Sequence, residues 1–179
     1  VMSHFLLALV VVALSVVVVF EAWSCATGLG APVAPRWLRL VAVVGVVACA
    51  AMVVTGAIAT ASGPHPGADQ DVHRLGLGIR DTVYVHVRAT AVFGIGLLLV
   101  GWQLLRARRE APGVVRLALV LLGVLLTQML VGEIQYRNAL PWGLVLVHVT
   151  LAATIWAVTV GVVYTLWRPP LALVAPAAE

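Results

Sequence analysis

Lysine is absent from this chain of 179 residues, and only 10% of the residues are charged. An average soluble domain carries roughly 25%. That shortage excludes a soluble fold, and no polar stretch is long enough to hold a separate soluble domain. Only two cysteines occur, Cys25 and Cys49. Their placement fits neither a metal-ligand spacing nor a disulfide framework, so both read as small apolar thiols. The opening "VMSHFLLALVVV" lacks a basic start, and its apolar run is too long for a signal peptide. Position 1 is not Met, so the chain is expected to be the C-terminal part of a longer protein. The net charge of +4 rests on arginine alone. In a membrane chain such an excess marks cytoplasmic loops rather than a nucleic-acid surface, so no nucleic-acid partner is expected. An Arg-only, Ala- and Val-rich composition points to a GC-rich bacterial gene and hence to the bacterial plasma membrane.

Hydrophobic residues are abundant, at 63% with a mean hydropathy of +1.09. Five apolar runs lie at about 3–23, 38–61, 83–105, 114–135 and 142–167. Each is near or above the roughly 20 residues that cross a hydrocarbon core about 30 Å thick. Open strands would leave backbone groups unpaired in lipid, so every run is expected to be a helix. The fold class is all-α integral membrane, with five transmembrane helices, the last four forming an antiparallel four-helix bundle. Arg36 and Arg39 lie in the first connection, and Arg106, Arg108, Arg109 and Arg116 in and beside the third. With Arg168 after the last run, they put that side in the cytoplasm. The N-terminus is then outside and the C-terminus inside. Trp37, Trp142 and Trp167 stand at run ends, as interfacial tryptophans do. Glycines at 45, 56, 94, 96, 123, 132 and 161 read as helix-packing positions. No strong short repeat is read in the chain.

Histidine is the informative polar residue. His4, His86 and His148 fall in three different runs, each toward the outer end. His65 and His73 lie in the second connection, where "GPHPG" reads as a turn. Polar groups in hydrocarbon are expensive and mark functional sites. Two imidazoles at one depth on separate helices suit the axial positions of a heme, a flat apolar disc that fits between helices. Arg74, Arg80 and Arg137, on the same side, are candidate partners for the propionates, because guanidinium forks match carboxylates. Hydrogen bonding between helices and a proton or ion path are the alternatives for His86 and His148. Arg88 is read as snorkelling outward or pairing with Glu133. Glu21 is read as interfacial. Gln128 and Gln135, seven apart, share a helix face that lines a cofactor or seals a helix contact. "GLGIRD" is no phosphate loop, since no strand precedes it.

Three segments together resemble a known family: "TGAIATASGPHPGAD", "RDTVYVHVRATAV" and "TQMLVGEIQYRNALPWGLVLVHVTLA". They are similar to the C-terminal half of heme A synthase over about residues 45–160. The stretch from Gln128 to His148 is the most specific part, and "SHFLLAL" is similar to the family's fourth helix. The resemblance implies oxidation of the heme O methyl group to the formyl of heme A, for cytochrome oxidase. It implies that His86 and His148 ligate a heme b cofactor and that His4 matches one ligand of the substrate heme. It also implies a missing N-terminal half or a second copy as partner, and heme O synthase and cytochrome oxidase assembly proteins as further partners. The chain departs from the family pattern in lacking the N-terminal helices, with their catalytic glutamate and external cysteine pair. Cys25 and Cys49 lie toward the other side and do not replace that pair.

The expected organisation is a lone helix over 1–28, a four-helix heme-binding unit over 37–168 and a cytoplasmic tail over 169–179. The expected function is that of the heme b-bearing part of a heme A synthase, incomplete as it stands. The alternatives are a membrane cytochrome b that carries electrons or holds heme, and a helix bundle without cofactor.

Overall fold

The computed structural model describes residues 2–64 and 76–174. It contains five long α-helices: α1 Met2–Thr27, α2 Arg36–Ser62, α3 Ile79–Arg106, α4 Pro112–Arg137 and α5 Trp142–Trp167. All five are long and apolar enough to cross a membrane. At 26 to 28 residues each, they rise about 40 Å, enough for a hydrocarbon core of about 30 Å. The protein is therefore an all-α, multi-pass membrane protein.

Proline and local capping set the helix ends. Pro35 and Pro141 take extended backbone just before α2 and α5, and Pro112 opens α4. Proline suits such places, because a helix's first N–H groups have no intrahelical acceptor. Asp81 lies in the first turn of α3, where its charge opposes the positive end of the helix dipole. Ala139 and Leu140 both have φ of 59°, in the left-handed region that non-glycine residues seldom enter. Leu140 N–H donates to the Gln135 carbonyl at 2.8 Å, and the Asn138 side chain donates to Ile134 at 2.7 Å. These bonds hold the chain in a reversal tight enough for α5 to start at Trp142, beside the end of α4.

Helices α2 to α5 close a ring in which α2 packs most closely on α3 and α4 on α5, while α3 meets α4 and α5 meets α2. Each helix turns its smaller and buried residues inward. Large apolar side chains such as Leu7, Val44, Leu99 and Leu130 remain on the outside, as a lipid solvent allows. One buried cluster joins Cys49, Met52, Phe93, Leu121 and Ile155 across the ring. The Cys49 thiol reaches the Thr159 hydroxyl at 3.7 Å. Helix α1 lies against α5 and, less extensively, α2. Trp156 Nε1 donates to the Leu9 carbonyl at 2.8 Å, and Arg168 grips Glu21 through two bonds of 3.1 and 3.3 Å. Gly161 lets the two helices approach, since a Cβ there would stand 2.9 Å from Phe20.

Residues 169–174, the start of the expected tail, fold back onto the bundle. Leu171 N–H bonds to the Gly28 carbonyl and Gly30 N–H to the Pro169 carbonyl, both at 2.8 Å. Leu173 then seats on α4 at Gly113, where a Cβ would come within 2.6 Å of its Cδ2 and 2.8 Å of its Cα. Backbone cannot give way there as a flexible side chain can. Gly113→Ala is therefore expected to destabilise the fold by about 1–3 kcal/mol, as overpacking does. A lower unfolding midpoint in detergent, with unchanged helix content before unfolding, checks this.

Candidate functional site

The ends of four helices meet around one cavity: the C-terminal turns of α2 and α4 and the N-terminal turns of α3 and α5. Its volume is about 940 Å³, near the top of the roughly 300–1,000 Å³ of small-molecule sites. Alanine, valine, leucine and glycine form most of the wall, with Phe5 of α1 at one edge. His86, two turns into α3, and His148, two turns into α5, both line it, each half-buried. Their ring centroids are 6.3 Å apart, with the ring planes inclined at 73°. Helix α3 begins four residues before its apolar run, so His86 stands two turns from the helix start rather than one, whereas α5 begins where its run does.

Each ring rests on a glycine of the helix before it. A Cβ on Gly56 of α2 would stand 3.0 Å from His86 Cε1, and one on Gly132 of α4 would stand 3.0 Å from His148 Cε1. The two hairpins, α2–α3 and α4–α5, thus repeat one device. The repeat is visible in the residues too: "GAI" at 56–58 matches "GEI" at 132–134, and "VYVHV" at 83–87 matches "VLVHV" at 145–149. Sequence reading missed this repeat and assigned both glycines to packing alone. The missed signal was the shared Gly-x-Ile and Val-x-Val-His-Val pattern.

The two imidazoles differ in how they are held. His86 Nδ1 lies 3.0 Å from the Met52 carbonyl and 3.3 Å from Thr55 Oγ1. A carbonyl only accepts, so Nδ1 carries the proton and Nε2 keeps its lone pair. That is the tautomer a metal ligand needs, with the second nitrogen held by the backbone. His148 Nδ1 is buried without a hydrogen-bond partner among the described residues. Gln128 Oε1 and Gln135 Oε1, on residues that also line the cavity, are likewise unpaired. Orphaned buried polar atoms are rare, and each marks a place where a bound group or ordered water belongs. Three of them stand on this one cavity. The shared face of Gln128 and Gln135 is thus a cavity wall.

Two imidazoles facing one metal from opposite sides, each through a ring nitrogen at about 2 Å, would have centroids about 6–6.5 Å apart. The observed separation falls in that range. No group of three or more His, Cys, Asp or Glu that could hold a metal ion occurs among the described residues. Two nitrogens alone leave a metal undercoordinated, and a non-protein group that brings further ligands would complete it. A heme would bring such ligands to this apolar slot, and His86 and His148 are the residues that would hold its iron. The donor set, the glycine cradles and the cavity volume all fit a heme.

The remaining candidates lie elsewhere. His4 is exposed near the start of α1 and is not part of the cavity wall. Arg80 is exposed in the first turn of α3. Arg137 is exposed in the last turn of α4, in an ion pair with Glu133. Neither arginine lines the cavity, although both stand at its end of the bundle. Arg74, His65 and His73 lie outside the described residues. Arg88 does not pair with Glu133. Its guanidinium lies over the Tyr84 ring at 3.1 Å, one turn toward the helix start, which is the snorkelling alternative.

Comparison of the chain with protein-family models, with curated proteins and with solved structures finds no match in any of the three.

Proposed function

We propose that this chain holds one heme b between His86 and His148 and is the heme b-bearing part of a heme A synthase. The observation that carries the reading is the pair of imidazoles 6.3 Å apart at the wall of one apolar cavity. The sequence resemblance adds the reaction, and the arginine distribution adds the orientation. Seven of the eleven arginines belong to the end opposite the histidines, which supports an extracytoplasmic histidine end. When bound, the heme supplies a one-electron relay toward a substrate heme O.

The chain's own residues do the holding. His86, fixed by Met52 and Thr55, and His148, seated on Gly132, bind and orient the disc. Val83, Val87, Val145 and Val149 flank the rings along their helices and keep water away. Outside the cavity, Arg80, Arg137 and Arg74 are the candidate cations for propionates. His4 is kept as a candidate ligand of the substrate heme, completed by an N-terminal half or a second copy.

A second reading, a membrane cytochrome b without a reaction of its own, draws on one observation. Both imidazoles come from a single four-helix unit, so heme binding needs no other half. Expression in a host that makes heme O separates the two. The purified chain is expected to carry protoheme, identified by its pyridine hemochrome, at about one per chain. Heme A among the extracted pigments, once the N-terminal half is co-expressed, supports the synthase. Heme b alone under both conditions supports the carrier, and a chain without a Soret band rejects both.

A further inference from the structure

The structure shows two copies of one histidine mount, and the copies are unequal. In the first, Thr55 precedes the cradling glycine, and its hydroxyl lies 3.3 Å from His86 Nδ1. The Met52 carbonyl, four residues before Gly56, completes the grip at 3.0 Å. In the second, Val131 precedes Gly132 and offers no hydroxyl. The register equivalent of Met52 is Gln128, and His148 Nδ1 has no hydrogen-bond partner there or elsewhere among the described residues. One imidazole is fixed in tautomer and direction. The other is fixed by packing alone.

We infer that His86 is the permanent axial ligand and His148 the displaceable one, so that a small exogenous ligand enters on the His148 face of the iron. This rests on the heme reading above. Two physical effects support it. A hydrogen bond from Nδ1 to a carbonyl raises the basicity of the opposite nitrogen and keeps the ring from rotating off the metal. A ring without that bond loses less when it leaves. Thr55 and Met52 are positioning residues, acting on the iron only through His86.

Two variants invert the difference. Val131→Thr gives His148 the hydroxyl that Thr55 gives His86, and Thr55→Val removes it from His86. The reduced, heme-loaded protein is mixed with carbon monoxide, and the rate of formation of the CO spectrum is recorded. The wild type is expected to bind CO, and Val131→Thr to bind it about tenfold more slowly. Thr55→Val is expected to leave that rate within about twofold while speeding heme transfer to apomyoglobin. His148→Ala is expected to keep at least five times as much heme as His86→Ala. Equal heme retention in the two alanine variants overturns the inference. So does a CO rate in Val131→Thr equal to that of the wild type, or a heme-loaded wild type that binds no CO. A wild type that holds no heme fails the underlying reading instead, and the absence of any Soret band identifies that outcome.

Discussion

Gly132→Leu is expected to lower heme content to the level of His148→Ala, and Gly56→Leu to the lower level of His86→Ala, while leaving the five helices folded. The first carbon of any side chain at this position stands 3.0 Å from His148 Cε1, tighter than ordinary contact. Alanine forces the ring to shift by a few tenths of an ångström. With an overpacking penalty of about 1–3 kcal/mol, it should weaken heme retention roughly tenfold. Leucine adds three further carbons and fills the space in which the ring sits. The same holds at Gly56, where the ring of His86 offers Cε1 at 3.0 Å and Nδ1 at 3.3 Å. Leucine there also displaces His86 from the Met52 carbonyl. Heme content per chain, read from the pyridine hemochrome, and helix content, read by circular dichroism, check both variants. Loss of heme with normal helix content supports the cradles. Full heme content in either leucine variant contradicts them.

Removing both imidazoles has the second large effect. The double variant His86→Ala with His148→Ala should purify without heme at any level of heme supply, because no other histidine lines the cavity among the described residues. His4→Ala serves as the control, since its side chain is exposed and outside the cavity wall. It should leave the reduced-minus-oxidised spectrum unchanged. A double variant that keeps a b-type spectrum would mean that the iron is bound elsewhere.

The helices were legible because a bilayer imposes a length. The runs at 38–61 and 142–167 match α2 and α5 to within two residues. The third run misses the first turn of α3, whose residues Ile79, Arg80, Asp81 and Thr82 are too polar on average to count as membrane. Yet those residues continue the helix, carry Asp81 at its positive end and so put His86 two turns rather than one from the helix start. His86 and His148 were legible as polar groups at matching depth. Their glycine mounts were not, because a glycine in a membrane helix signals close approach without saying what approaches. Only the packing of α2 on α3 and α4 on α5 shows that an imidazole fills each gap. Arg137 shows the opposite limit. Its position near the outer end suggested a propionate partner, but Glu133 sits one turn before it, where i,i+4 pairing on one helix is the nearer option. The αL conformations of Ala139 and Leu140 had no sequence signal either, since neither residue favours them.

The most direct measurement is electron-nuclear double resonance on the ferric protein, expressed with ¹⁵N-labelled histidine in an unlabelled background. Two strongly coupled histidine nitrogens are expected in the wild type and one in His148→Ala. A wild-type spectrum with one histidine coupling, or none, would contradict a single iron shared by His86 and His148.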